Sequence, residues 1–172
     1  ILLIHIPKTG GSTIRKTLYS MGVIPANDAD KTVGWERVTH DPYVVLKNKL
    51  DFSQHTVISV VRNPYVRTFS FYAFFSGGRS FEDFLQNTWN VYYQPLQEIR
   101  KISDLVEREQ KFFDFAQQFK TTLSSQSLFL YNSDFKLMPV DRLYQTEKLH
   151  EFSSEINHEL VNARIGSYFT EH

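Results

Sequence analysis

Ile1-Leu2-Leu3-Ile4-His5-Ile6-Pro7-Lys8-Thr9-Gly10-Gly11-Ser12-Thr13 opens the chain, and its reading decides the fold. Residues 1–6 form a short apolar run rich in β-branched side chains, as a central parallel strand requires, and Pro7 ends it by removing a backbone donor. Gly10 and Gly11 let the backbone turn sharply and approach a ligand closely. From Ser12 the apolar positions Ile14, Leu18 and Met21 recur at helical spacing. Strand, glycine turn and helix start in that order leave the amides of residues 9–13 at a helix N-terminus, where Lys8 adds a full positive charge. The stretch therefore predicts an anion site. An ordinary strand-to-helix turn is the plain alternative for a Gly-Gly pair taken alone.

Residue order separates this turn from the nucleotide-triphosphatase loop. That loop places its lysine after the glycines and follows it with a hydroxyl for magnesium, whereas Lys8 precedes Gly10 and Gly11. A second unit of the same kind lies downstream. Thr56-Val57-Ile58-Ser59-Val60-Val61 reads as a buried strand and runs into Arg62-Asn63-Pro64-Tyr65-Val66-Arg67-Thr68-Phe69-Ser70. Asn63 suits an N-cap and Pro64 the first helical position, so this strand also feeds a helix. The Arg62 guanidinium fork matches phosphate oxygens, and Ser70, about two helical turns on, can offer a hydroxyl from the same side. Arg67 is assigned to packing or ion pairing.

The order His-Ile-Pro-Lys-Thr-Gly-Gly at residues 5–11 resembles the 5′-phosphosulfate loop of sulfotransferases that use 3′-phosphoadenosine 5′-phosphosulfate (PAPS). It is most similar to the carbohydrate group that includes the heparan 2-O-sulfotransferases and their small bacterial relatives. Arg62 and Ser70 resemble that family's 3′-phosphate motif. The resemblance implies an α/β fold with a mainly parallel sheet and helices on both faces, related to the P-loop nucleotide kinases. It implies PAPS as sulfuryl donor, held by Lys8, Thr9, Gly10, Gly11, Ser12, Thr13, Arg62 and Ser70, with no metal. The acceptor it implies is a hydroxyl, on a carbohydrate.

Further residues take their roles from the same resemblance. Lys8 is the candidate catalytic cation. The related enzymes tend to carry a histidine between their two cofactor motifs, and His40, ahead of Asp41-Pro42, is the candidate general base; a surface or capping histidine is the alternative. Gln126 lies in a Ser-Gln segment where a glutamine can face the acceptor. Residues 139–149 resemble a strand followed by the family's Glu-Asn-Leu signature, with Lys148 in place of asparagine after Glu147. Residues 161–169 resemble a late cofactor loop, in which Arg164 and the backbone near Gly166 would close over the nucleotide; a frayed basic terminus is the alternative.

Composition bounds the rest. With 172 residues the chain is read as one domain spanning 1–172, able to bury a core without disulfides or metals, and with flanking residues trimmed, since it starts on a core strand without methionine. Nineteen basic and nineteen acidic residues give zero formal charge, so neither nucleic acid nor a membrane surface is an expected partner. Cysteine is absent, which removes thiol catalysis and cysteine-based zinc sites. No run of transmembrane length or signal peptide is present; a cytoplasmic location is expected, with an anchor ahead of Ile1 left open.

Elsewhere the pattern predicts helices over 43–50, 80–85 and 151–160, a helix over 99–119 broken near Arg108, and a loop or lid over 87–97. Phe69, Phe71, Tyr72, Phe74 and Phe75 are expected in the core. Two other function classes share parts of the pattern: a nucleotide or small-molecule kinase, and a non-catalytic nucleotide- or glycan-binding protein.

Overall fold

The computed structural model describes residues 2–20, 40–119, 123–138, 140–152 and 154–155. Its fold is mixed α/β, built on three parallel strands in the order β1-β2-β3. These are β1 (Leu2–Ile4), β2 (Val57–Val61) and β3 (Arg142–Gln145). Leu2, Leu3 and Ile4 are all buried, and so are Val57 through Val60. Successive strand residues point to opposite faces, so burial of every one means that both faces of β1 and β2 are covered.

Pairing fixes which side chains share a face. Leu2 lies opposite Val57, Leu3 opposite Ile58 and Ile4 opposite Ser59. Ser59 puts a hydroxyl into this apolar layer, and its Oγ donates to Ile4 O at 2.9 Å, which offsets the desolvation. Asp141 closes the near end of the β2–β3 ladder: its amide donates to Val57 O at 2.8 Å and its Oδ2 accepts from Val57 N at 2.6 Å.

Leu2, Ile4, Ile6 and Val57 join the largest apolar cluster with Val44, Val45 and Leu46 of α2 (Tyr43–Leu46). α5 (Gln94–Lys101) adds Leu96 and Ile99, and α6 (Leu105–Phe119) adds Phe112, Phe115 and Ala116. A 3₁₀ turn, Gln126–Leu130, completes it with Leu128, Phe129 and Leu130. Each of these side chains other than Ala116 contributes about 1.5–3 kcal/mol when fully buried.

Two helices leave the strand ends. α1 (Gly11–Ser20) follows β1, and α3 (Pro64–Phe75) follows β2. Asn63 caps α3 as expected, its side chain accepting from Tyr65 N at 3.0 Å and Val66 N at 3.3 Å, with Pro64 in the first turn. Gly77 and Gly78, at φ 59° and 84°, turn the chain out of α3. Ser80 then caps α4 (Phe81–Thr88) by accepting from Asp83 N at 3.1 Å.

Four expectations are corrected. Residues 87–97 are not a loop or lid: α4 passes through a π turn, Trp89–Tyr93, directly into α5, and Leu96 is buried. One extra residue in the turn shifts the apolar face, which is why the periodicity is invisible in sequence. The break expected near Arg108 lies at 102–104, where the Asp104 side chain accepts from Glu107 N at 2.8 Å and starts α6. The aromatic run of α3 is mostly not core: Phe71 is buried, but Phe69 and Phe74 are 63% and 70% exposed and Phe75 is exposed as well. The helix expected over 43–50 is confined to α2, with a turn after it. The strand expected within 139–149 is β3, which continues into a 3₁₀ turn at Thr146–Lys148. Gly22, Trp35, Arg164 and Gly166 lie outside the described residues, as does most of the helix expected over 151–160.

Candidate anion-binding site

The turn after β1 is held in an unusual backbone shape. Lys8 and Gly10 both take left-handed conformations, with φ 65° and 88°, and Thr9 between them is completely buried. Thr9 Oγ1 donates to Ile6 O at 2.8 Å, and Thr9 O accepts from Thr146 Oγ1 at 2.6 Å. Thr9 therefore builds the turn with its side chain facing inward. Gly10 O accepts from Thr13 N at 2.9 Å and Ile14 N at 3.2 Å, which starts α1 at once.

Both glycines are required, for different reasons. Gly10 needs its positive φ, and a Cβ there would meet Leu149 Cδ1 at 3.0 Å. Gly11 is tight because a Cβ would lie 2.1 Å from the His5 ring. Gly11→Ala is accordingly expected to lower stability by about 1–3 kcal/mol, the range for overpacking a filled site. Urea unfolding checks this, and an unchanged midpoint would mean that the His5 ring moves aside freely.

His5 and His40 form a pair. Their ring centroids are 4.3 Å apart, and His40 Nδ1 lies 3.2 Å from His5 O. A carbonyl can only accept, so the neutral His40 carries its proton on Nδ1, which makes Nε2 the basic nitrogen. His40 itself has φ 49°, a left-handed conformation just ahead of the extended Pro42.

From β2, Arg62 reaches back across the sheet end. Its Nη1 donates to Lys8 O at 3.3 Å, so the two cationic residues belong to one structural unit. Lys8 Nζ lies 4.4 Å from the centre of the Phe74 ring, on whose face a cation is held electrostatically. Glu147 accepts from Asn63 N at 3.1 Å. That bond, its own backbone N–H and the nearby Arg62 charge hold its carboxyl below the usual carboxylate range.

A cavity of about 560 Å³ brings these groups together. It is lined by His5, Pro7, Lys8, Gly10, Gly11, Ser12, His40, Arg62, Ser70, Phe74 and Phe75. Seven of the predicted site residues are on it: Lys8, Gly10, Gly11, Ser12, His40, Arg62 and Ser70. Thr9 and Thr13 are not among the described lining residues. Gln126 is also elsewhere: its Oε1 accepts from Arg62 N and its Nε2 donates to Arg62 O, both at 2.8 Å. That side chain is engaged with the backbone of Arg62. Arg164 lies outside the described residues.

His5, Pro7, Phe74 and Phe75 were missed as lining residues. The signal for Phe74 was available, since it follows Ser70 by one i,i+4 step and so shares its helix face. His5 had no such signal, because its role depends on the fold of residues 10–11 against it. Comparison with family models, characterised proteins and solved structures finds no match to the chain.

Proposed function

We propose that the chain is a PAPS-dependent sulfotransferase that transfers the sulfuryl group to an acceptor hydroxyl on a carbohydrate, in a fold of the sulfotransferase type. The observation that carries this reading is the convergence of Lys8, Arg62, Ser70 and His40, from two strand-to-helix units and a separate loop, on one cavity. The cavity's size lies within the range of small-molecule sites. An ammonium, a guanidinium, the hydroxyls of Ser12 and Ser70 and a helix N-terminus form a donor set suited to a ligand with two anionic groups.

Bound there, PAPS would supply an activated sulfuryl group. Arg62 and Ser70 would hold the 3′-phosphate. Lys8 and the first turn of α1 would face the 5′ side, where they stabilise negative charge. His40 would take the acceptor's proton on Nε2. The kinase reading is disfavoured because the lysine precedes the glycines, and because β2 ends in the cation Arg62 where a magnesium carboxylate would be needed.

Calorimetry with 3′-phosphoadenosine 5′-phosphate against ATP, each with and without magnesium, tests the donor class. The expected result is preferential, magnesium-independent binding of the 3′-phosphorylated nucleotide; magnesium-dependent ATP binding would favour the kinase. Turnover with PAPS and a panel of glycans then separates enzyme from binder. Arg62→Ala should weaken binding of the bisphosphate about tenfold to a hundredfold, as loss of a charged hydrogen bond worth about 1.5–3 kcal/mol requires, and erase the preference for 3′-phosphorylated nucleotides. Undiminished preference would remove Arg62 from that role.

A further inference from the structure

Arg67 is the most unusual charge in the described residues. It is 3% exposed, yet its side-chain hydrogen bonds run to backbone carbonyls: Nε to Pro7 O at 2.9 Å and Nη1 to Ser124 O at 2.7 Å. Its guanidinium carbon lies 5.0 Å from the centre of the Phe71 ring, and Nη2 and the neighbouring Ser124 Oγ are buried without a protein partner. Burial pulls the guanidinium pKa well below its ordinary value, to about 10. A cation held so deep is costly, and isolated packing does not require one.

Its position gives the reason. Pro7 immediately precedes Lys8 and lines the cavity. Ser124 is two residues before Gln126, whose carboxamide pairs with both the N–H and the C=O of Arg62 as a neighbouring strand would. One short segment, 124–126, therefore grips the turn after β1 through Arg67 and the end of β2 through Gln126. Arg62 closes the loop by bonding Lys8 O.

We propose that Arg67 and Gln126 are positioning residues that lock the Lys8 turn and the Arg62 turn at one separation, and so set the site's selectivity for ligands carrying two anionic groups at a matching distance. The nucleotide part of this inference rests on the sulfotransferase reading; the mechanical coupling of the two turns does not. Neither side chain need touch the ligand. Their effect is on the spacing of the groups that do, and a small misplacement of such groups is enough to lose discrimination.

The test uses Gln126→Ala and Arg67→Lys, the second keeping the charge while removing the planar fork that serves two carbonyls at once. Amide hydrogen exchange in the ligand-free protein reads the coupling. In Gln126→Ala, exchange is expected to accelerate at residues 8–14 as well as at Arg62 and Asn63, by about tenfold, and Arg67→Lys should likewise loosen residues 61–63, which its side-chain bonds do not touch. Acceleration confined to each side chain's direct partners overturns the coupling. Calorimetry with 3′-phosphoadenosine 5′-phosphate and with adenosine 5′-phosphate reads the selectivity: both variants should lose about tenfold in preference for the bisphosphate while binding the monophosphate nearly as before. A retained preference overturns the selectivity role. If the parent protein shows no preference between the two nucleotides, the donor reading and the selectivity claim both fail, and the exchange result alone decides whether the coupling stands.

Discussion

On the proposed sulfotransferase reading, replacing His40 by glutamine is expected to lower sulfuryl transfer from PAPS by about a hundredfold to ten-thousandfold, the usual contribution of a positioned general base. The argument starts from the tautomer. His5 O accepts from His40 Nδ1, which leaves Nε2 as the nitrogen able to receive a proton, and His40 lines the same cavity as Lys8 and Arg62. Glutamine preserves a polar group near His5 O but has no basic nitrogen. Binding of 3′-phosphoadenosine 5′-phosphate should therefore change little, while kcat collapses and the acid limb of the pH–rate profile disappears. A variant that keeps its rate and its pH profile would show that His40 only fastens its loop to His5. An equal fall in affinity and rate would point to a structural role as well.

Lys8→Ala carries the second large effect. Charge builds on the phosphate-side oxygen as the sulfuryl group departs, so a cation near that oxygen stabilises the transition state more than the bound donor. Turnover should fall by about a hundredfold or more, with a far smaller change in donor affinity. Lys8→Arg should rescue poorly, because a planar fork does not replace a point charge in a tight turn. The backbone offers a further control. Lys8 sits at φ 65°, where a side chain costs about 1–2 kcal/mol, whereas introducing glycine costs about 0.5–1 kcal/mol in chain entropy. Lys8→Gly should thus be at least as stable as the parent protein and still lose turnover. A rise in KM for PAPS with kcat unchanged, in either variant, would reduce Lys8 to a neutralising charge.

The strained lysine is consistent with retention for function over stability, as residues in sparsely populated backbone regions at functional sites commonly are. The same holds for His40 at φ 49°. Lys8 and His40 line the same cavity, whereas the third left-handed non-glycine residue among those described, Phe135 at φ 57°, does not.

What could be read from sequence was whatever local chemistry decides. The two strand-to-helix units were legible because each carries its own signals: an apolar run, a breaker, and either two glycines or an Asn-Pro cap. Arg62 and Ser70 were legible because both belong to one strand-to-helix unit, Arg62 just past the end of β2 and Ser70 within α3. Gln126 was found as a residue of interest but not for its observed partner, since its bonds to Arg62 span 64 positions. Arg67 was read as a packing or ion-pairing residue; it is buried, but its partners are carbonyls 60 and 57 positions away, which leave no local trace. The aromatic run of α3 misled for the opposite reason. Hydrophobic character alone suggested a core, while the helix turns Phe69 and Phe74 outward and sets Phe74 beneath Lys8.

The all-parallel pairing has a kinetic consequence. Leu2 pairs with Val57 and Ile58 with Arg142, so neither ladder can begin from a hairpin, and each must close a long stretch of chain before its first bond forms. Helices α3 to α6 are local structures and can form in microseconds to milliseconds, but β1, β2 and β3 meet late. During synthesis, β3 cannot dock until residues 142–145 have left the ribosome, and the Thr146 hydroxyl that fastens Thr9 arrives with it. The cavity lined by Lys8 and Arg62 sits at these strand ends, so it is complete only once the sheet has formed.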